Sequence, residues 1–138
     1  MKHIKEYKIF ESIEEMNDIK LTLEEILLDL NDIGFETEVY INYKLSGDGY
    51  IMRIYVKLPG KTFKIDIIKE TFLRIEDYLS SIGECEFDYQ IDGYQTYDFD
   101  LDDSRRAISI SDLLYFNEYN INEMEFITTI KKTYETYK

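Results

Sequence analysis

The apolar residues of this chain change period in a repeated order, and that alternation constrains the fold more than any other feature. Ile65, Ile68, Phe72, Ile75, Leu79 and Ile82 recur at spacings of three and four and stop at Gly83, which defines a helix with one apolar stripe. The period then becomes two: Cys85, Phe87, Tyr89 and Ile91 alternate with Glu84, Glu86, Asp88 and Gln90, and Tyr97, Phe99 and Leu101 alternate with Asp98, Asp100 and Asp102. The same order occurs earlier. Leu23, Ile26, Leu27, Leu30 and Ile33 share a helical face, Thr22 and Glu25 have capping-box spacing, and Gly34 is placed to end the helix. Ser12 with Glu15 offers a second capping box, so the helix starts there or two short helices meet near Asp18; both stay open.

Two strands follow the first helix. Phe35, Thr37, Val39, Ile41, Tyr43 and Leu45 form one face, then Tyr50, Met52, Ile54, Val56 and Leu58, with Tyr40, Arg53, Tyr55 and Lys57 opposite. A four-residue turn at Ser46 to Gly49 pairs Leu45 with Tyr50, sets Val39 against Val56 inside, and sets Glu38 against Lys57 outside. In the second hairpin, Asp92-Gly93 resembles a two-residue turn, but that register mixes the faces. An odd loop, Asp92-Gly93-Tyr94, keeps them apart and brings Glu86 opposite Asp98 or Asp100. Both helices end in Ile-Gly and lead into a Glu-x-Glu strand, so the units echo one another as an internal duplication would, or as two similar structural units would.

Residues Arg105 to Phe116 read as a short strand or irregular segment. Ile121, Met124, Ile127, Ile130, Tyr134 and Tyr137 suit a closing helix, although Phe126 to Ile130 also suits a strand; the helix is the preferred reading. The expected fold is therefore α+β. It is a two-layer sandwich of two successive α-β-β units plus a C-terminal helix, with the helices on one face of a four-stranded, mainly antiparallel sheet and the other face partly open to water. The length of 138 residues fits one domain, 1–138, with residues 1–11 set apart as a leader or mobile segment.

Charge narrows the partners. The net charge is −13, and no Lys or Arg occurs between Ile75 and Ser104. Direct nucleic-acid binding needs basic side chains that release counterions, and anionic membranes need them too, so both are disfavoured. A basic protein partner, a cation or simple solubility fits better. The lone Cys85 has no internal disulfide partner, and there is no apolar run of transmembrane length, so a reducing cytoplasm is the expected compartment.

No catalytic constellation or cofactor fingerprint is found, so the chain reads as non-enzymatic with no cofactor. His3 is the sole histidine and has no paired nucleophile. Cys85 falls on the inward face of its strand and reads as an inert thiol. Asp98, Asp100 and Asp102 resemble the start of a calcium loop, but Asp103 stands where Gly is needed and Ser109 where Glu is needed; strand alternation explains the run without an ion. The candidate interaction face comprises Glu84, Glu86, Asp88, Asp98, Asp100, Asp102, Tyr40 and Tyr55, with the tyrosines as amphipathic anchors.

The opening Met1-Lys2-His3-Ile4-Lys5-Glu6-Tyr7-Lys8-Ile9-Phe10-Glu11-Ser12 resembles the short prohead-targeting leader on proteins of T-even-like tailed phages, and Ile9-Phe10-Glu11 is similar to the site cut by the phage protease. Read from its residues alone, the stretch is an amphipathic helix with Ile4, Tyr7 and Phe10 on its packing side. Glu24 to Phe35 and Ile67 to Leu79 also resemble small uncharacterised phage proteins. The resemblance brings no activity with it; joined to the acidic, tyrosine-bearing sheet face, it gives the expectation of a phage accessory protein in the host cytoplasm that binds a basic protein or a host DNA-binding protein, in the sharper form as a DNA mimic. The alternatives are an internal head component in the virion interior, beginning at Ser12 after cleavage, and a metal-dependent enzyme using Asp98, Asp100 and Asp102.

Overall fold

The computed structural model describes residues 2–43, 49–95 and 103–131, of which residues 2–13, 43, 95 and 103 are described as backbone only. Helix α1 spans Lys2–Asp32 and is followed by β1 (Glu36–Tyr43), β2 (Gly49–Lys57), α2 (Ile65–Ile82), β3 (Glu84–Gln95), β4 (Asp103–Ala107), α3 (Ile110–Leu113), a 3-10 turn (Leu114–Phe116) and β5 (Tyr119–Lys131). The α+β class holds. The sheet is five-stranded, not four-stranded, in the order β1-β2-β5-β3-β4, and every neighbouring pair is antiparallel.

Helix α1 is longer than its capping signals imply because neither Gly nor Pro interrupts it before Gly34. Thr22 does not cap: its hydroxyl donates to the Asp18 carbonyl one turn back, at 2.9 Å, inside the helix. Ser12 likewise lies within the helical backbone. The C-terminus ends as expected. Gly34 has φ +103°, its N–H donates to the Asn31 carbonyl, the Phe35 N–H donates to the Leu30 carbonyl, and buried Leu30 and Phe35 flank the turn in a Schellman arrangement.

Helix α2 follows its expected bounds, with Ile65, Ile68, Phe72, Ile75 and Leu79 fully buried. Its terminal Gly83 differs from Gly34. The backbone there is extended, and an added Cβ would sit 2.6 Å from the Lys131 carbonyl oxygen, so this glycine permits close approach to β5.

The first hairpin keeps its expected faces and shifts its register by two residues. Tyr43 pairs with Tyr50, Val39 with Ile54, Glu38 with Tyr55 and Glu36 with Lys57, in place of Val39 with Val56 and Glu38 with Lys57. A shift of two preserves the side-chain alternation, which explains why the face assignment survived it.

The closing helix is replaced by β5, the central strand of the sheet. Its buried residues Met124, Phe126, Thr128 and Ile130 alternate, but a β-bulge opposite Asp92 and Gly93 adds Asn122 and stretches the step from Ile121 to Met124 to three residues. With outward-facing Ile127 included, that step reproduces helical spacing. The same bulge replaces the expected turn at Asp92-Gly93-Tyr94, for β3 runs straight through it. Gly93 is required there by close approach: a Cβ would lie 1.9 Å from the Asn120 carbonyl oxygen.

The strand directions rule out the internal duplication. From β1-β2 to β3-β4 the left-to-right order is kept while each strand reverses, and the helices pack on the same face. Only a reflection relates the two units, and no chain can be duplicated into its mirror image.

Helices α1 and α2 cover the face carrying Val39, Ile54, Tyr89, Ile91 and Phe126. Phe126 lies at the centre of an aromatic group with ring centroids 5.6 Å from Phe72, 5.7 Å from Phe87 and 4.7 Å from Tyr89. Arg74 on α2 reaches Asp29 on α1 at 2.6 Å. Arg105 to Ala107 are strand, and Ser109 then caps the short α3, accepting from the Asp112 N–H at 3.1 Å. The Glu76 carboxylate ties these pieces together: one oxygen accepts from the Tyr89 hydroxyl at 2.5 Å and from the Ile110 N–H at 2.8 Å.

Candidate interaction face

The face of the sheet turned away from α1 and α2 is assembled in cross-strand rows, because residues directly paired on adjacent strands point to the same side. One row runs Tyr40, Arg53, Ile127, Asp88. The next runs Glu38, Tyr55, Glu125, Gln90, Arg106. A third runs Glu36, Lys57, Glu123, Asp92, Ser104. Glu84 and Glu86 follow on β3, opposite Lys131 and Thr129. Among the described residues this face therefore sets eight carboxylates against Arg53, Lys57, Arg106 and Lys131.

Towards one side of it, on β1 and β2, lies an aromatic pair. Tyr40 and Tyr55 meet edge to face with ring centroids 5.9 Å apart, and they remain 49% and 37% exposed. The Tyr40 hydroxyl donates to Glu38 at 2.7 Å, and this bond with the Glu38 charge raises the tyrosine's pKa. Arg53 lies 3.6 Å from Glu125, and Lys57 lies 3.5 Å from Glu36. With Glu38 and Asn42, these tyrosines and Arg53 line a shallow groove.

Of the residues expected on this face, Glu84, Glu86, Asp88, Tyr40 and Tyr55 are on it. Asp98, Asp100 and Asp102, and with them the proposed metal cluster, lie outside the described residues. The expected opposition of Glu86 to Asp98 or Asp100 likewise lies outside the described residues; on its β5 side Glu86 faces Thr129. A like-charge pair exists elsewhere, Asp92 directly opposite Glu123. Glu123 and Glu125 join this face only because β5 is a strand and not the expected helix; their alternation with Met124, Phe126 and Thr128 is the signal in the sequence. Among the described residues no group of three or more His, Cys, Asp or Glu side chains could hold a metal ion.

Cys85 is half-buried on the helix-covered side. Its thiol donates to the Leu79 carbonyl at 3.2 Å, and burial raises its pKa, which disfavours the reactive thiolate. Ile9, Phe10 and Glu11 fall within the helical backbone of α1, so cleavage after Glu11 would require local unwinding to present an extended substrate. No helix among the described residues is long and apolar enough to cross a membrane. Comparison with protein-family models, with curated proteins and with solved structures finds no match to this chain.

Proposed function

We propose that this protein is a non-enzymatic binding module whose helix-free sheet face docks a basic segment of another protein. The reading rests on the exposed Tyr40–Tyr55 pair, with Glu38 and Glu125 flanking Tyr55 in its row and Glu36 and Glu123 in the next. Tyrosine supplies contact area at low entropic cost, and flanking carboxylates select a cationic partner and steer it in. The Asp92–Glu123 opposition supports the same reading, since like charges facing each other cost stability that an arriving Lys or Arg would relieve.

Within the phage setting implied by the N-terminal resemblance, the partner is a basic host protein, and in the sharper form a DNA-binding protein whose groove the acidic face occupies in place of duplex. A fluorescent Lys/Arg-rich peptide tests the general reading. Its anisotropy should rise with the intact protein, fall back with added salt, and weaken about tenfold for Tyr40→Ser/Tyr55→Ser. Equal binding by the double variant removes the face from the account. For the sharper form, the protein should displace duplex DNA from a basic DNA-binding protein; failure to compete discards mimicry alone.

A further inference from the structure

The two edges of the sheet are built differently. Strand β4 is five residues long and carries Arg105 and Arg106 in succession, a short and charged edge of the kind that resists pairing. Strand β1 presents eight residues in unbroken register with β2, contains no proline, and pairs with no second strand among the described residues. Every other residue of β1 therefore turns its N–H and C=O outward. Beside this edge α1 leaves Leu28 52% exposed and Leu21 58% exposed, seven residues apart on one helical stripe. A groove whose lining includes Lys20, Glu24, Leu28, Glu38, Val39 and Tyr40 runs between helix and strand.

We propose that this groove is closed by a second copy of the chain, with β1 pairing antiparallel to its own copy across a two-fold axis normal to the sheet. Such an axis keeps both faces in place, so only residues of equal parity can oppose one another. With Tyr40 on the axis, Glu38 faces Asn42, Val39 faces Ile41 and Thr37 faces Tyr43. With Val39 on the axis, Glu38 faces Tyr40 and Glu36 faces Asn42. Neither register opposes two charges. Shifting the axis to Glu38 or Thr37 sets Glu38 against Glu38 or Glu36 against Glu38, which is unfavourable.

The strand is thus self-complementary: its carboxylates lie in the first half and uncharged residues in the second, as antiparallel self-pairing requires. The same axis brings the exposed Leu21–Leu28 stripes of the two α1 helices together over the joined edge. The product is a continuous ten-stranded sheet, twice the observed five. It joins two copies of the acidic face side by side.

Sedimentation equilibrium on the full chain tests this directly. At about 100 μM the mass should be twice 16.6 kDa, and β1 amides should show hydrogen-exchange protection that rises with protein concentration. Leu28→Lys/Tyr40→Lys places like charges at the junction using exposed positions, and should raise the dissociation constant at least about tenfold with an unchanged circular dichroism spectrum. A 16.6 kDa species at all concentrations overturns the proposal, and is the result expected if the groove serves an extended peptide of another protein. A dimer whose β1 amides gain no protection also overturns it, and this readout on the unmodified chain decides the matter if the double variant fails to fold.

Discussion

Replacing Tyr89 with Phe should produce a stability deficit at neutral pH that disappears in alkali. Tyr89 is fully buried, and its hydroxyl donates to the Glu76 carboxylate at 2.5 Å. A buried hydrogen bond to a charged acceptor contributes about 2 kcal/mol, so Tyr89→Phe should lower unfolding stability by that amount at pH 7. Burial, together with Glu76, raises the Tyr89 pKa far above that of an exposed tyrosine. The native protein therefore keeps this proton where the unfolded chain, titrating near pH 10, releases it. With more protons bound in the native state than in the unfolded state, stability falls as pH rises. The loss begins near pH 10 and proceeds at about 1.4 kcal/mol per pH unit. The variant lacks this contribution, while the other tyrosines cancel in the difference. Urea unfolding followed by circular dichroism from pH 7 to 11.5 should show two curves separated by about 2 kcal/mol at neutral pH and meeting near about pH 11.5. Parallel curves across that range, or no deficit at pH 7, would refute the assignment of the Tyr89–Glu76 bond.

Gly93→Ala drives a Cβ to within 1.9 Å of the Asn120 carbonyl oxygen in the central strand, and should cost about 3 kcal/mol in urea unfolding or prevent folding. Asp92→Asn relieves the opposition to Glu123 and should stabilise the protein by about 0.5 kcal/mol while weakening capture of the basic peptide, so thermal unfolding and anisotropy should move in opposite senses. Cys85 should react with a thiol reagent at pH 8 far more slowly in the native protein than in denaturant, because burial raises its pKa; equal rates would contradict that placement.

Short-range periodicity carried much of the fold. The α2 stripe, the Schellman end of α1 and the inward and outward faces of β1, β2 and β3 follow from spacings within a few residues, and each is found where those spacings put it. What failed depends on partners distant in the chain. Asn122 is surplus only because β5 pairs with β3 across the bulge, and nothing local to Ile121 or Met124 distinguishes that irregularity from a helical step. Gly93 looked like turn chemistry because its real requirement, the approach of Asn120, is invisible until the strands are paired. The insertion of β5 between β2 and β3 likewise has no local signature. The site inherited this split. Tyr40, Tyr55, Glu84, Glu86 and Asp88 were readable from alternation, whereas Glu123 and Glu125 reach the face only through β5.

Docking on the helix-free sheet face can be followed by amide chemical shifts recorded while a Lys/Arg-rich peptide is titrated into the isotopically labelled protein. Saturable shifts should appear at Glu38, Tyr40, Arg53, Tyr55, Glu125 and Ile127, with Ile65, Ile68 and Phe72 on α2 unmoved. Shifts centred on the helices, or no saturable shift at low ionic strength, would contradict it.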